Sequence, residues 1–136
     1  MTMAVRFNDD SIREEINAHR DEIDRNELLI GDWDVSEVTD MSYLFVYMGN
    51  FNQELRWDTR NVTKMDHTFS GCTSFDQPLE WETGNVLSMS CTFQWCRSFN
   101  QPLAWNTENV QNMDYTFAGC TNFNQPLRGK RETYGP

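Results

Sequence analysis

Hydrophobic and polar positions recur along this chain at a fixed interval of 24 residues. A tryptophan, a valine, a methionine, two phenylalanines, a glutamine and a leucine return at the same point of every interval. Recurrence of this kind is typical of tandem units that stack on one another. It divides the chain into an N-terminal segment, four repeats and a polar tail, at 1–32, 33–56, 57–80, 81–104, 105–128 and 129–136.

The apolar spacing within one repeat predicts two kinds of backbone. From Val62 to Cys72 the apolar residues follow at intervals of three, four and three, which predicts one face of a short helical segment. Leu79, Trp81 and Thr83 alternate with two glutamates, which is the period of a strand. The predicted fold is therefore a repeat solenoid with a short parallel sheet of four to five strands, helical turns opposite it and an N-terminal capping helix.

The capping helix is predicted before the first repeat. Ser11 and Glu14 have the spacing of a capping box, and Ile12, Ile16 and Ile23 fall on one face of the helix that follows. This apolar face is expected to cover the first repeat, because a terminal repeat needs a cover with a polar outer side.

The opposite end of the predicted stack has no comparable cover. After Leu127 only a short polar tail follows, so Phe117, Phe123 and Leu127 are expected to form an exposed apolar face. Soluble proteins rarely leave such a face in water. Two chains related by a two-fold axis would bury it, so we expect a homodimer with these three residues at the contact.

Charge excludes several classes of partner. The chain has 21 acidic and 11 basic residues and a formal net charge of −10, so it repels phosphate backbones and anionic membrane surfaces. Neither an apolar run of 18 residues nor a signal peptide is recognisable. We therefore expect a protein that binds neither nucleic acid nor membrane. The sequence as written is typical of a cytoplasmic protein, but it does not identify the compartment.

The cysteines predict buried free thiols. Cys72, Cys96 and Cys120 share one position of the repeat, and the first repeat has Met48 there, which indicates a small or flexible apolar group. A disulfide between neighbouring repeats is the alternative, but stacked side chains point the same way. A zinc site would need clustered ligands, and the two histidines fall in different elements, so we expect no metal.

No constellation of catalytic residues is apparent. The chain has no glycine-rich phosphate loop and no serine or cysteine with a base at a matching place in the repeat. Glu80 and Glu82 are paired carboxylates, but Arg56, Asp58 and Asn106 stand at equivalent places, which favours solvated surface charges. We therefore expect a protein that is not an enzyme and needs no cofactor. A carbohydrate-active enzyme is the alternative that these glutamates leave open.

The repeat resembles those of a known group of proteins. The stretch from Val110 to Leu127, with its valine, methionine, phenylalanine and cysteine spacing before Phe-Asn-Gln-Pro-Leu, is similar to the repeats of bacterial surface proteins and mycoplasma-type lipoproteins. These belong to the leucine-rich-repeat superfamily, so the resemblance implies a right-handed solenoid with strands at Leu79–Trp81 and its equivalents. It also implies a surface adhesion or interaction role, without catalytic residues.

The leading functional hypothesis is a protein-interaction or assembly module. Its expected surface varies between repeats while the core positions do not. Trp95 stands where other repeats have Gly71 and Gly119, either as an exposed anchor or folded over the turn. The alternatives are an adhesion module for a host protein or glycan, and binding of ice or another lattice through the threonine columns that contain Thr83 and Thr92. The expected surface residues are Arg56, Asp58, Glu80, Glu82, Trp95 and Asn106.

Overall fold

The computed structural model describes residues 5–126. Its helices are α1, Asp9–Ala18, and α2, Arg20–Asp24. The single helix expected from residue 11 onward is therefore two helices, and the first starts earlier. Asn8 is the N-cap, because its side chain accepts the Asp10 and Ser11 amides, while the Ser11 hydroxyl accepts the Asn8 amide. Ser11 thus belongs to a capping box as its third helical residue, a position that the Ser-x-x-Glu pattern did not reveal.

The four repeats form stacked coils around a column of aromatic rings. Phe45, Phe69, Phe93 and Phe117 lie above one another with ring centroids 5.5 to 5.7 Å apart. Within each coil a second phenylalanine stacks on the first at about 4.5 Å, as Phe51 does on Phe45. The recurring apolar positions predicted from the 24-residue interval are therefore the core.

The predicted parallel sheet is absent. Among residues 5–126 the backbone pairing consists of isolated parallel bridges, and the predicted strand residues take part in none of them. Leu79, Trp81 and Thr83 do alternate between core and solvent, but side chains take the place of a ladder. The Trp81 indole donates to the Leu55 carbonyl, and the Thr83 hydroxyl donates to the Asn106 carbonyl. A solenoid of leucine-rich-repeat type built on a sheet was therefore a wrong prediction. The bridges are Arg6–Asp34, Asp40–Lys64, Lys64–Ser88 and Ser88–Asn112.

The segments predicted as helical are instead runs of tight turns. In the first coil the Leu44 amide donates to the Met41 carbonyl, and the Met48 amide donates to the Phe45 carbonyl. The third residue of each turn, Tyr43 or Tyr47, has a positive φ, the feature of a type II turn. An α-helix cannot pass through such residues. The three-four-three spacing therefore identified buried positions correctly, but tandem turns produce it here.

Neither helix of the described segment is long or apolar enough to cross a membrane.

Candidate functional site: the two ends of the stack

Backbone hydrogen bonds between coils run predominantly in one direction. In the turn segment of each coil, alternate amides donate to alternate carbonyls of the following coil at 2.8 to 3.0 Å. We call these groups the amide row and the carbonyl row. The first junction joins the amides of Met41, Tyr43, Phe45 and Tyr47 to the carbonyls of Lys64, Asp66, Thr68 and Ser70, and the next two junctions repeat the pattern.

Because the bonds share a direction, the two ends of the stack differ chemically. The first coil presents a carbonyl row toward the N-terminus, and the last coil presents an amide row toward the C-terminus. A carbonyl or amide that is buried without a partner destabilises the fold. The groups at each end are therefore satisfied either by a cover of opposite hydrogen-bonding character or by water.

Two arginines cover the carbonyl row of the first coil. Arg13 donates to the carbonyls of Asp40 and Ser42 at 3.0 and 2.6 Å. Arg20 donates to the Leu44 carbonyl at 3.4 Å and also to that of Val46. These guanidinium groups stand where the amide row of a preceding coil would lie. A guanidinium suits this role because its donors form a rigid fork and it is always charged.

A carboxylate completes the cover at the start of the turn segment. In the second and third coils two consecutive amides here donate back to the preceding coil; those of Thr63 and Lys64, for example, donate to the Thr39 carbonyl. In the first coil the equivalent amides, Thr39 and Asp40, donate to the Asp9 carboxylate at 2.7 and 3.1 Å. Partial burial alone would raise the pKa of Asp9, but a hydrogen bond from the Thr39 hydroxyl and those from the two amides lower it overall. The cap therefore imitates a preceding coil with side chains.

The C-terminal end lacks such a cover within the described residues. The amides of Met113, Tyr115 and Gly119 have no acceptor among residues 5–126, although their equivalents in every earlier coil do. Phe117 and Phe123 are only partly buried, whereas the same positions in the other coils are fully buried. Of the three residues predicted for the dimer face, these two thus lie together at the open end, and Leu127 lies outside the described residues.

The predicted charged surface lies on the extended side of the coils. Arg56 and Glu80 line a shallow groove of about 440 Å³ together with Glu54, Trp57 and Pro78. Arg56 forms ion pairs with Asp32 and Glu54 at 2.9 and 2.6 Å. The other predicted residues of this side, Asp58, Glu82 and Asn106, are exposed.

Trp95 lies on the turn side, across the aromatic core from those charges. It has a φ of 65° and is 48% exposed, and its ring covers Gly119 so closely that a Cβ there would lie 2.5 Å from Trp95 Cε3. Tyr47 covers Gly71 in the same way. The indole is thus both folded over a turn and half exposed. The six predicted surface residues therefore form two groups and not one site.

Sequence reasoning missed the other exposed aromatic side chains of the turn segments, which together with Trp95 we call the exposed aromatic band. Tyr43 stacks on His67 at 4.6 Å, and both have positive φ. Glycines in the repeat column were the available signal, because Gly71 and Gly119 mark a position with left-handed backbone. The exposed members of the band are Tyr43, Tyr47, Trp95 and Tyr115.

The cysteine column consists of free thiols that form hydrogen bonds. Cys72, Cys96 and Cys120 each donate to a phenylalanine carbonyl of the preceding coil at 2.8 to 2.9 Å. Burial raises the pKa of all three thiols, that of Cys120 to about 11. A thiolate nucleophile is disfavoured under these conditions.

The threonine columns are also internal. Thr59, Thr83 and Thr107 are nearly fully buried, as are Thr68, Thr92 and Thr116. Most of their hydroxyls donate to backbone carbonyls, often in the neighbouring coil. The regular threonine surface on which lattice binding depended is therefore not present.

Comparisons with known proteins give one relationship. Residues 14–130 match the model of a family described as "Mycoplasma protein of unknown function, DUF285". No curated protein and no solved structure matches the chain.

Proposed function

Since this chain belongs to the DUF285 family of Mycoplasma proteins, whose function is unknown, we propose that it is a non-catalytic protein-interaction and assembly module. In this proposal the chain self-associates through the open face of its fourth coil. The observation that carries the proposal is the difference between the ends of the stack. Phe45 and Phe51 of the first coil are 0% exposed beneath the cap, whereas Phe117 and Phe123 of the last are only partly buried.

The chemistry of this face restricts the form of the homodimer. A two-fold axis brings identical surfaces together, so it would place the amide row of one chain against the amide row of the other. Donors cannot bond to donors. The dimer contact is therefore made by aromatic side chains such as Phe117 and Phe123, and not by pairing between the last coils.

Light scattering of the full chain between about 5 and 500 μM tests the proposal. We expect a dimer mass at the upper concentrations. Phe123→Asp should return the mass to that of a monomer, because a buried unpaired carboxylate strongly disfavours the contact. Asn122→Asp adds a carboxylate at an exposed neighbouring residue and should leave the mass unchanged. A monomer across the whole concentration range would contradict self-association.

A second candidate function is adhesion to a host protein or glycan. The exposed aromatic band supports it, because tyrosine and tryptophan are common anchors of binding sites. The likeness of the repeat to surface proteins of the leucine-rich-repeat superfamily also supports it. This likeness is one of sequence, because the parallel sheet typical of that superfamily is absent from the described residues. Binding to a glycan panel that is lost in Trp95→Ala but kept in Leu87→Ala, another exposed apolar residue, would favour this function over self-association.

A further inference from the structure

The outer faces of the first and fourth coils carry the two complementary halves of a junction between coils. Each internal junction joins an amide row to a carbonyl row, and the bonds have nearly the same lengths at all three junctions. The last coil carries an amide row, with Met113, Tyr115 and Gly119 lacking acceptors among the described residues. The first coil carries the matching carbonyl row, at Asp40, Ser42, Leu44 and Val46, beneath Arg13 and Arg20.

We propose that Arg13 and Arg20 act as an assembly stop: they occupy the face of the first coil that would otherwise receive the amide row of a second copy of this chain. The proposal rests on the assembly function proposed above and identifies the contact that limits it. The occupant is a second copy because the same repeat builds both rows, so their spacing agrees.

The aromatic side chains of the two faces also match. Inside the stack, Phe93 and Phe99 lie on Phe117 and Phe123 at 5.7 and 5.9 Å. A second copy docked in the same register would place its Phe117 on Phe45 of the first. The contact is heterologous, since it joins two different surfaces, and heterologous contacts that do not close into a ring continue as linear chains. The cap must move aside for this contact to form.

The arginines are the polar element that holds the cap on this face. The isoleucines of the cap are buried in the common core. The carbonyl row needs donors, and among the described residues arginine side chains, not backbone amides, provide them for these four carbonyls. Removing both guanidinium groups leaves the carbonyl row without donors while the isoleucines remain. An incoming amide row would then satisfy the carbonyls better than the altered cap does.

The test is the Arg13→Ala/Arg20→Ala double variant of the full chain. We expect its mass by light scattering to exceed that of a dimer and to rise with concentration without a plateau. Arg6→Ala/Arg25→Ala is the matched control, because it removes the same charge from arginines that pair with the carboxylates of Asp34, Glu37 and Glu27 and not with the carbonyl row. The control should keep the mass of the wild type.

Mixing distinguishes directed assembly from general aggregation. A wild-type chain that has left its dimer offers the amides of Met113, Tyr115 and Gly119, which lack acceptors among the described residues, but its carbonyl row is covered, so it can join a growing chain at one end only. Adding an equal amount of wild type should therefore reduce the mean mass of the double variant at least two-fold. Oligomers that wild type does not shorten would overturn the proposal.

The remaining outcomes also decide the question. If the double variant keeps the mass of the wild type, the proposal is wrong, whether or not wild type is a dimer. If wild type is a monomer and the double variant forms chains, the two-fold dimer is wrong and the assembly stop is supported. If the double variant loses the near-ultraviolet circular dichroism of its stacked tryptophans, Arg20→Ala alone is used. Failure of a folded Arg20→Ala to form chains then overturns the proposal.

Discussion

A single hydroxyl group shows how side chains replace backbone pairing between these coils. Thr83 and Thr107 occupy the same position in neighbouring repeats and are both nearly fully buried. The Thr83 hydroxyl donates to the Asn106 carbonyl at 3.1 Å. The Thr107 hydroxyl has no partner within the part of the chain that the structure describes.

Valine substitutions at these two positions should therefore differ. Thr83→Val removes a hydrogen bond and leaves a carbonyl unsatisfied, so we expect it to lower the free energy of unfolding by about 1–3 kcal/mol. Thr107→Val removes an unpaired buried hydroxyl and should be neutral or stabilising. Urea denaturation measures both variants. Equal losses would show that the hydroxyl does not contribute through this bond.

The close contact between Trp95 and Gly119 gives a second prediction at the same scale. Gly119→Ala places a Cβ within 2.5 Å of the indole at a residue with a φ of 78°. We expect the left-handed backbone alone to lower the free energy of unfolding by about 1–3 kcal/mol, and the contact with the indole to lower it further. Trp95→Ala/Gly119→Ala should recover part of that loss, because the smaller side chain removes the contact. Double-mutant analysis of urea unfolding measures the coupling, and purely additive losses would contradict it.

At the scale of the element, the sequence predicted which residues face the core but not the backbone that brings them there. The Val62–Cys72 spacing and the alternation around Trp81 both report burial correctly. Burial depends on where a side chain points, and tandem turns and unpaired extended chain can produce the same intervals as a helix and a strand. The left-handed residues would have separated these options, but tyrosine, histidine and tryptophan occupy most of those positions, and only two carry glycine.

The candidate site was predictable only in part, for the same reason. The partial burial of Phe117 and Phe123 could be inferred from their place in the last repeat. The amide and carbonyl rows could not, because they depend on the direction of backbone groups, which no side-chain pattern reports. The pattern of the cap helix predicts that Arg13 and Arg20 face outward, which is wrong, because their side chains reach the first coil.

The junction between the N-terminal segment and the first coil should respond to acid. Hydrogen bonds from the Ser36 hydroxyl and amide, then from Arg6, lower the pKa of Asp34 to about 2. A lowered folded-state pKa means that the unfolded chain binds the proton more readily. The ionised Asp34 carboxylate therefore stabilises the fold at pH values above its ordinary pKa of 3.8, and this stabilisation is lost as the pH falls toward about 2.

Asp34→Asn should thus reduce the fall of the melting temperature between pH 4 and pH 2, since it removes one of the carboxylates responsible. Asp10→Asn, at an exposed residue of α1, is the control. Thermal unfolding monitored by circular dichroism at several pH values measures the effect. If the melting temperatures of wild type and Asp34→Asn fall equally between pH 4 and pH 2, the Asp34 carboxylate does not stabilise the fold in this way.

At the scale of the whole molecule, the aromatic column should carry more stability in the middle than at its open end. Phe93 is 0% exposed and stacks on Phe69, Phe99 and Phe117. Phe93→Ala is expected to lower the free energy of unfolding by about 3–5 kcal/mol, as for buried aromatic residues generally. Phe123→Ala, in the partly buried end coil, should lower the free energy of unfolding by clearly less. Urea denaturation at low protein concentration, where self-association is minimal, compares the two, and equal losses would contradict a gradient of burial.

The bonds between coils join residues 22 to 27 positions apart, as those of Ser88 and Thr68 do. Because each coil contacts only its neighbours, folding can spread from one unit to the next. The cap satisfies the carbonyl row of the first coil, whereas several amides of the fourth coil have no acceptor among the described residues. Folding should thus proceed by adding coils from the capped end, and thermal fraying should begin at the other. The rate of amide hydrogen exchange should then decrease steadily from the fourth coil toward the first, because unfolding begins at the fourth coil and proceeds in one direction.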